Sequence, residues 1–226
     1  MVFRYAIRPV IPDAQRWAGL LCGRADDRAL RLSRLRGRSL ARSMTGELLC
    51  RELLAKLRPG ENPCLSEDAS GKPILPRSSL FVSISHSGSF VAAAAADVPV
   101  GIDLQESRGV SDSVLRRCYS PEEQRWVKAG NARERAIRLW TMKEAYGKLK
   151  GTGIFRGDLF RAEFEDDTLI TRYDGLDFLF PEAPEGFLFT ACLASRKEDG
   201  WHRQAGANLP TVNNVDEQRE NRLLSP

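Results

Sequence analysis

The sequence predicts an α+β molecule built of two similar α/β halves related by a pseudo-two-fold axis, with mostly antiparallel sheets. Two observations carry the prediction. A helical stretch followed by short strand candidates occurs twice, each time over about 110 residues. The helical segments SMTGELLCRELL and WTMKEAYGKLK also hold a glutamate at comparable places, Glu47 and Glu144. The expected division is a first half over 1–106, a second over 107–200 and a polar tail over 201–226, with a cleft between the halves.

The elements follow in order. Residues 13–58 read as helical, with leucines at helical spacing from Leu48 to Leu57, and Pro59-Gly60 ends the stretch. Residues 60–79, rich in Pro, Ser and Gly, read as loop. Three strands are expected next: Leu80 to Ser85, the wholly apolar Phe90 to Ala96, and Val100 to Gln105, forming an antiparallel meander. Glu106 to Ser113 reads as a linker. Ser120-Pro121-Glu122-Glu123 is a strong helix start, because the Ser can cap free N–H groups, Pro fits the first turn and the acids suit its dipole. A longer helix is expected from Asn131 to Leu149, stopped by Gly151 and Gly153. Strand candidates return at Leu159 to Phe164, Thr168 to Tyr173, Asp177 to Phe180 and Phe187 to Leu193.

Composition narrows the class. A chain of 226 residues that is 42% hydrophobic and 28% charged can bury a full core without covalent staples. Five cysteines with no CxxC pair read as free thiols in a reducing compartment. The opening MVFRYAIRPVIP is broken by Arg4, Arg8, Pro9 and Pro12 and does not read as a signal peptide. The longest apolar run is far short of a membrane span. The expectation is a cytoplasmic protein. Net charge is only +4, but nine Arg and Lys56 between Arg24 and Arg58 face four acids there. That block suits phosphate or an acidic partner, and equally a solvated helix face.

Three fragments could carry chemistry. In Gly101-Ile102-Asp103-Leu104-Gln105, strand alternation turns Ile102 and Leu104 to the core and Asp103 with Gln105 to the other face. In WTMKEAYGKLK, Trp140, Glu144 and Lys148 lie four apart on one helical stripe, with Lys143 beside it. Each fragment alone reads more readily as an ordinary polar pair or helix face than as a site. Ser85-His86-Ser87 ends a strand. Ser85 and His86 point to opposite faces, which makes them a poor nucleophile–base dyad, but a His and two hydroxyls suit a phosphate.

The ordered set resembles the 4'-phosphopantetheinyl transferase superfamily, in particular its surfactin-synthetase-activating, Sfp-like type. The matching pieces are Gly71-Lys72-Pro73, Ser85-His86-Ser87, Gly101-Ile102-Asp103, the YSPEE helix start, and Trp140 with Lys143-Glu144-Ala145 and Lys148. Arg34 and Arg42, eight apart, match a recurrent pair, and the resemblance spans roughly residues 34–153. It implies the fold of that superfamily, two similar halves with coenzyme A in the cleft. It implies Mg²⁺-dependent transfer of the phosphopantetheine arm of coenzyme A onto a serine of an acyl, peptidyl or aryl carrier protein, releasing 3',5'-ADP. By carry-over, Asp103 and Glu144, with Gln105, hold the metal. Lys148 stabilises charge on the diphosphate, with Lys143 assisting, and Glu144 accepts the serine proton. Arg34, Arg42, Lys72, Ser85, His86, Lys143 and Lys148 hold coenzyme A. Gln105 departs from the pattern, since many relatives carry an acid there. Carrier proteins are commonly acidic, which suits the basic block, and duplicated halves make a monomer sufficient. No nucleic acid or membrane partner is expected.

Two other classes compete. A metal-dependent nuclease wants an acid and a lysine two apart on a strand, whereas Glu144 and Lys148 are four apart in a helical context. A non-catalytic basic binding module leaves Asp103 and Glu144 without a role.

Overall fold

The computed structural model describes residues 1–12, 27–60, 64–76, 78–154 and 159–195. The helical reading of 13–26 and the polar tail over 201–226 lie outside the described residues. Strand β1 (Phe3–Pro9) comes first, then helices α1 (Asp27–Ser33) and α2 (Gly37–Leu57), and the short strands β2 (Ser66–Glu67) and β3 (Pro73–Ile74). Strands β4 (Phe81–Ser87), β5 (Phe90–Ala96) and β6 (Val100–Glu106) follow, then helices α3 (Asp112–Cys118), α4 (Pro121–Lys128) and α5 (Ala132–Lys150). Strands β7 (Phe164–Glu165), β8 (Thr168–Leu169), β9 (Arg172–Tyr173), β10 (Leu176–Leu179) and β11 (Phe187–Ala194) complete the order.

The α+β class and the antiparallel sheets are as expected. One sheet runs β1-β5-β4 and another β6-β11-β10-β9, with every pairing antiparallel. The expected three-strand meander is corrected: β4 pairs β5, but β6 pairs β11 and opens the second sheet. Thus β6, which falls within 1–106, belongs to the sheet made otherwise from residues after 107.

Burial explains the layering. Ala92 through Ala96 are all fully buried, because β5 is covered on both faces. Ala93 and Ala95 pack with Leu49, Leu53 and Leu54 of α2. Ala92, Ala94 and Ala96 pack with Ile102, Leu104 and Phe189 of the second sheet. The second sheet's other face carries Phe178 and Cys192 against Leu139, Met142 and Ala145 of α5. Alanine suits β5 because both neighbours approach closely.

The ends of the elements follow from local chemistry. Ser120 and Glu123 form a reciprocal capping box at α4. Asn131 caps α5, and Gly151, at φ +74°, takes the left-handed turn that ends it. The single long helical reading through residue 58 is corrected to two helices, with Arg34 to Arg36 between them and Gly37 at φ +53°. The expected linker 106–113 runs into α3, whose cap is Ser111. Strand β1 was not expected, although Phe3, Tyr5 and Ile7 alternate with polar or small residues. Leu159 to Phe164 is not a strand until its last residue. There, side chains replace sheet partners: Lys143 Nζ donates to the Phe160 carbonyl at 2.6 Å, and the Ala162 N–H donates to Glu123 at 2.8 Å. Among the described residues no helix is long and apolar enough to cross a membrane. Cys50, Cys64, Cys118 and Cys192 are free, and Cys22 is outside the described residues.

Candidate active site

The candidate site forms where β4, β6 and α5 converge. Gly101 makes the approach possible: a Cβ there would collide with the Ala145 carbonyl oxygen and the Leu149 nitrogen of α5. With hydrogen in its place, helix and strand meet backbone to backbone. Two residues on, the same face of β6 brings Asp103 under Lys148 of the helix.

On its other side β6 would be an unpaired edge. Its outward N–H groups are satisfied by serine hydroxyls at alternate positions of β4: Ile102 donates to Ser83 at 3.1 Å, Leu104 to Ser85 at 3.1 Å and Glu106 to Ser87 at 3.0 Å. The two sheets are therefore joined by three side-chain rungs rather than a backbone ladder, and the rungs set the register of β4 against β6.

The middle rung is more connected. Ser85 donates to Asp103 Oδ1 at 2.8 Å, and Lys148 Nζ donates to Ser85 Oγ at 2.8 Å and to Asp103 Oδ1 at 2.7 Å. Asp103 is 5% exposed, and its other oxygen, Oδ2, is buried with no hydrogen-bond partner. A bare carboxylate oxygen in a protein interior is costly unless something meets it.

A cavity of about 300 Å³ opens beside this cluster. Asp103, Gln105, Trp140, Glu144, Lys148 and His86 line it, together with Ile84 and Ser85. The Trp140–Glu144–Lys148 stripe thus faces one space, as the helical spacing indicated. Burial pushes the Glu144 carboxyl above the ordinary carboxylate range, the Lys148 ammonium pulls it down, and the nearby Asp103 pushes it up again. His86 stands at the rim. The protein packed around its ring, and then the charges of Arg42 and Lys148, hold it below the usual imidazole range.

The donor set fits a hard divalent cation. One buried carboxylate oxygen lacks a partner, a second carboxylate is disfavoured as a bare anion, and a neutral amide lies beside them. Two acids are few: among the described residues no three His, Cys, Asp or Glu side chains gather to hold a metal. Oxygens from a bound phosphate group would have to complete the shell.

Other expected contacts fall elsewhere. Lys143, expected to assist at the phosphates, is 1% exposed and points away from the cavity lining. It donates to Glu123 Oε1 and the Phe160 carbonyl, each at 2.6 Å. Burial lowers its pKa and Glu123 opposes that shift. Ser85 accepts from Leu104 and Lys148 and donates to Asp103, which spends the hydroxyl's capacity and leaves none for a phosphate. Lys72 does not line the cavity; it donates to the Leu149 carbonyl at 2.8 Å, near the end of α5. Arg34 is exposed between α1 and α2, so it and Arg42 do not share one helix. Arg42 reaches the Gly88 carbonyl at 2.6 Å, in the turn that follows β4.

Sequence reasoning missed the roles of Ser83 and Ser87, of Gly101 as a contact point and of Glu123 as a buried anchor. The serine alternation in VSISHSG was a visible signal, though its partner strand was not. Nothing in the sequence distinguishes Glu123 the cap from Glu123 the partner of Lys143.

Comparison with known proteins bears out the resemblance. Residues 99–180 match the family model of the 4'-phosphopantetheinyl transferase superfamily, a stretch that contains Asp103, Gln105, Glu144 and Lys148. The chain is 34% identical over 133 residues to the 4'-phosphopantetheinyl transferase psf-1 of Bacillus pumilus, covering 56% of this chain and 57% of that protein. It is 34% identical over 119 residues to the transferase gsp of Aneurinibacillus migulanus, covering 50% of each. To the transferase Sfp of Bacillus subtilis strain 168 it is 29% identical over 119 residues, covering 50% of this chain and 53% of the relative. The chain spans about half the length of the curated relatives it matches. By both family model and relatives, its resemblance is to the 4'-phosphopantetheinyl transferases of the Sfp-like type.

Proposed function

We propose that this protein transfers the 4'-phosphopantetheine group of coenzyme A to a serine of a carrier protein in a magnesium-dependent reaction. The observation that carries the reading is the unpartnered Asp103 Oδ2, on a side chain that lines one cavity with Glu144, Lys148 and His86. Asp103 and Glu144, with the Gln105 amide oxygen directly or through water, would hold the ion, whose contribution when bound is to offset charge on the coenzyme A diphosphate.

The remaining work falls to the chain's own groups. Glu144 accepts the proton of the carrier serine, directly or through water, from its place in the cavity beside Lys148. The serine Oγ then forms a bond to the pantetheine-bearing phosphorus, and the bond from that phosphorus to the bridging oxygen breaks. 3',5'-ADP leaves with the electron pair. Lys148, one turn beyond Glu144, stabilises the charge that develops on the leaving phosphate. His86, held toward its neutral form, donates or accepts a hydrogen bond at the rim, and Arg34 and Arg42 supply charge for the remaining phosphates.

On this reading the chain is a monomer of two similar halves related by a pseudo-two-fold axis, the boundary lying before β6 rather than after residue 106, since β6 opens the second sheet. The support is that α2 covers the first sheet and α5 the second. The basic stretch around α1 and α2 meets an acidic carrier, and the reaction takes place in the cytoplasm. The experiment is intact-mass measurement of an apo carrier protein incubated with this protein, coenzyme A and Mg²⁺. A gain of one phosphopantetheine group, lost when the metal is chelated, is expected. No gain across acyl, peptidyl and aryl carriers would overturn the proposal.

A further inference from the structure

We infer that Ser85 is a positioning residue whose hydroxyl decides which oxygen of Asp103 is left without a partner; the inference rests on the metal reading above. The three seam serines provide the contrast. Each accepts one β6 N–H, so each holds the strand in register. Of the three, Ser85 is the one that also donates to Asp103 Oδ1 and accepts from Lys148.

A carboxylate turns easily about its last torsion, since its two faces are nearly equivalent. Two donors, the Ser85 hydroxyl and the Lys148 ammonium, converge on Oδ1. That leaves Oδ2 as the bare oxygen. Lys148 is a flexible donor, 29% exposed, on a four-carbon stem. Ser85 is 4% exposed and fixed by its own rung to β6. The rigid partner therefore sets the orientation, and Lys148 follows it. When a cation or phosphate draws Lys148 away, Ser85 still holds Oδ1 and Oδ2 stays in place.

The test is Mn²⁺ affinity, read from the spin-resonance signal of free Mn²⁺ with coenzyme A present. The proteins compared are wild type, Ser83→Ala, Ser85→Ala and Ser85→Thr. Ser83→Ala removes a rung alone, Ser85→Ala removes a rung and the orienting bond, and Ser85→Thr retains a hydroxyl. Ser85→Ala is expected to bind Mn²⁺ about tenfold more weakly, the usual scale for loss of a group that orients a ligand. Ser83→Ala and Ser85→Thr should bind as wild type does. Equal affinities for Ser83→Ala and Ser85→Ala would overturn the positioning role while leaving the metal reading intact. Absence of Mn²⁺ uptake by wild type would overturn both. If Ser85→Ala does not fold, Ser85→Cys, which keeps the volume and weakens the hydrogen bonds, replaces it with the same expectation.

Discussion

Helix α5 carries two lysines five residues apart, each paired with an acid from another element, and the two pairs are finished differently. Lys143 meets Glu123 with both side chains fully buried. Glu123 is satisfied throughout: Oε1 accepts from Lys143 and the Ala162 N–H, and Oε2 accepts from the Ser120 N–H. Lys148 meets Asp103 beside open space, and one oxygen of that acid is left bare. A closed pair fixes backbone, here the cap of α4 and the irregular chain at Phe160 to Ala162. An open pair keeps unspent electrostatic capacity for something that arrives from outside. The contrast lies in which polar atoms remain unsatisfied rather than in which residues are charged.

The sharpest way to break the comparison is to remove an acid from the open site. Glu144→Ala should cut transfer by roughly 10²–10³-fold or more, the scale for loss of a main electrostatic element, with the far-ultraviolet spectrum unchanged. Retained turnover would take Glu144 out of the chemistry. The closed pair should respond in the opposite sense. Lys143→Met should cost about 3–5 kcal/mol of stability, because it strands a buried carboxylate. Denaturant unfolding would show this, and Lys143→Met with Glu123→Gln should recover part of the loss. An unchanged midpoint for the single variant would mean that the pair holds nothing together.

A smaller effect concerns pH. Burial places the Glu144 carboxyl above its ordinary range, and metal binding requires the ionised form. Mn²⁺ affinity should therefore fall as pH drops through that raised value, not through the usual carboxylate range. Lys148 lowers this pKa, so Lys148→Met should move the acid limb to still higher pH. A limb that moves down, or stays put, would show that Lys148 does not act on Glu144. The smallest change expected is from Gln105→Glu. A third carboxylate at the cavity should lower the magnesium concentration for half-maximal rate, and an unchanged half-saturation point would place residue 105 outside the metal's shell.

Much of this was legible in the sequence, and the limits have physical causes. The alternation in GIDLQ placed Asp103 and Gln105 on one face, and the four-residue spacing in WTMKEAYGK aligned Trp140, Glu144 and Lys148, because both readings depend on local backbone period. The partner of β6 was not legible. Strand pairing is a long-range choice, and Val100 to Gln105 would suit β5 as well as β11 by pattern alone. Leu159 to Phe164 looked like a strand because its side chains alternate, yet its backbone is satisfied by Lys143 and Glu123, two residues from distant helices. The surroundings of Lys143 were hidden for the same reason: a lysine next to Glu144 on a helix points about 100° away from it, and it meets Glu123 and the Phe160 carbonyl there because the fold places them so.

The proposed transfer depends most directly on Asp103, the acid on β6 whose Oδ2 has no partner. The direct measurement is the mass of a carrier protein after incubation with coenzyme A, Mg²⁺ and either wild type or Asp103→Asn, a substitution that keeps shape and removes charge. Wild type should add one phosphopantetheine group per carrier serine, and the folded Asp103→Asn protein should add none over the same time. Equal modification by both would contradict the account.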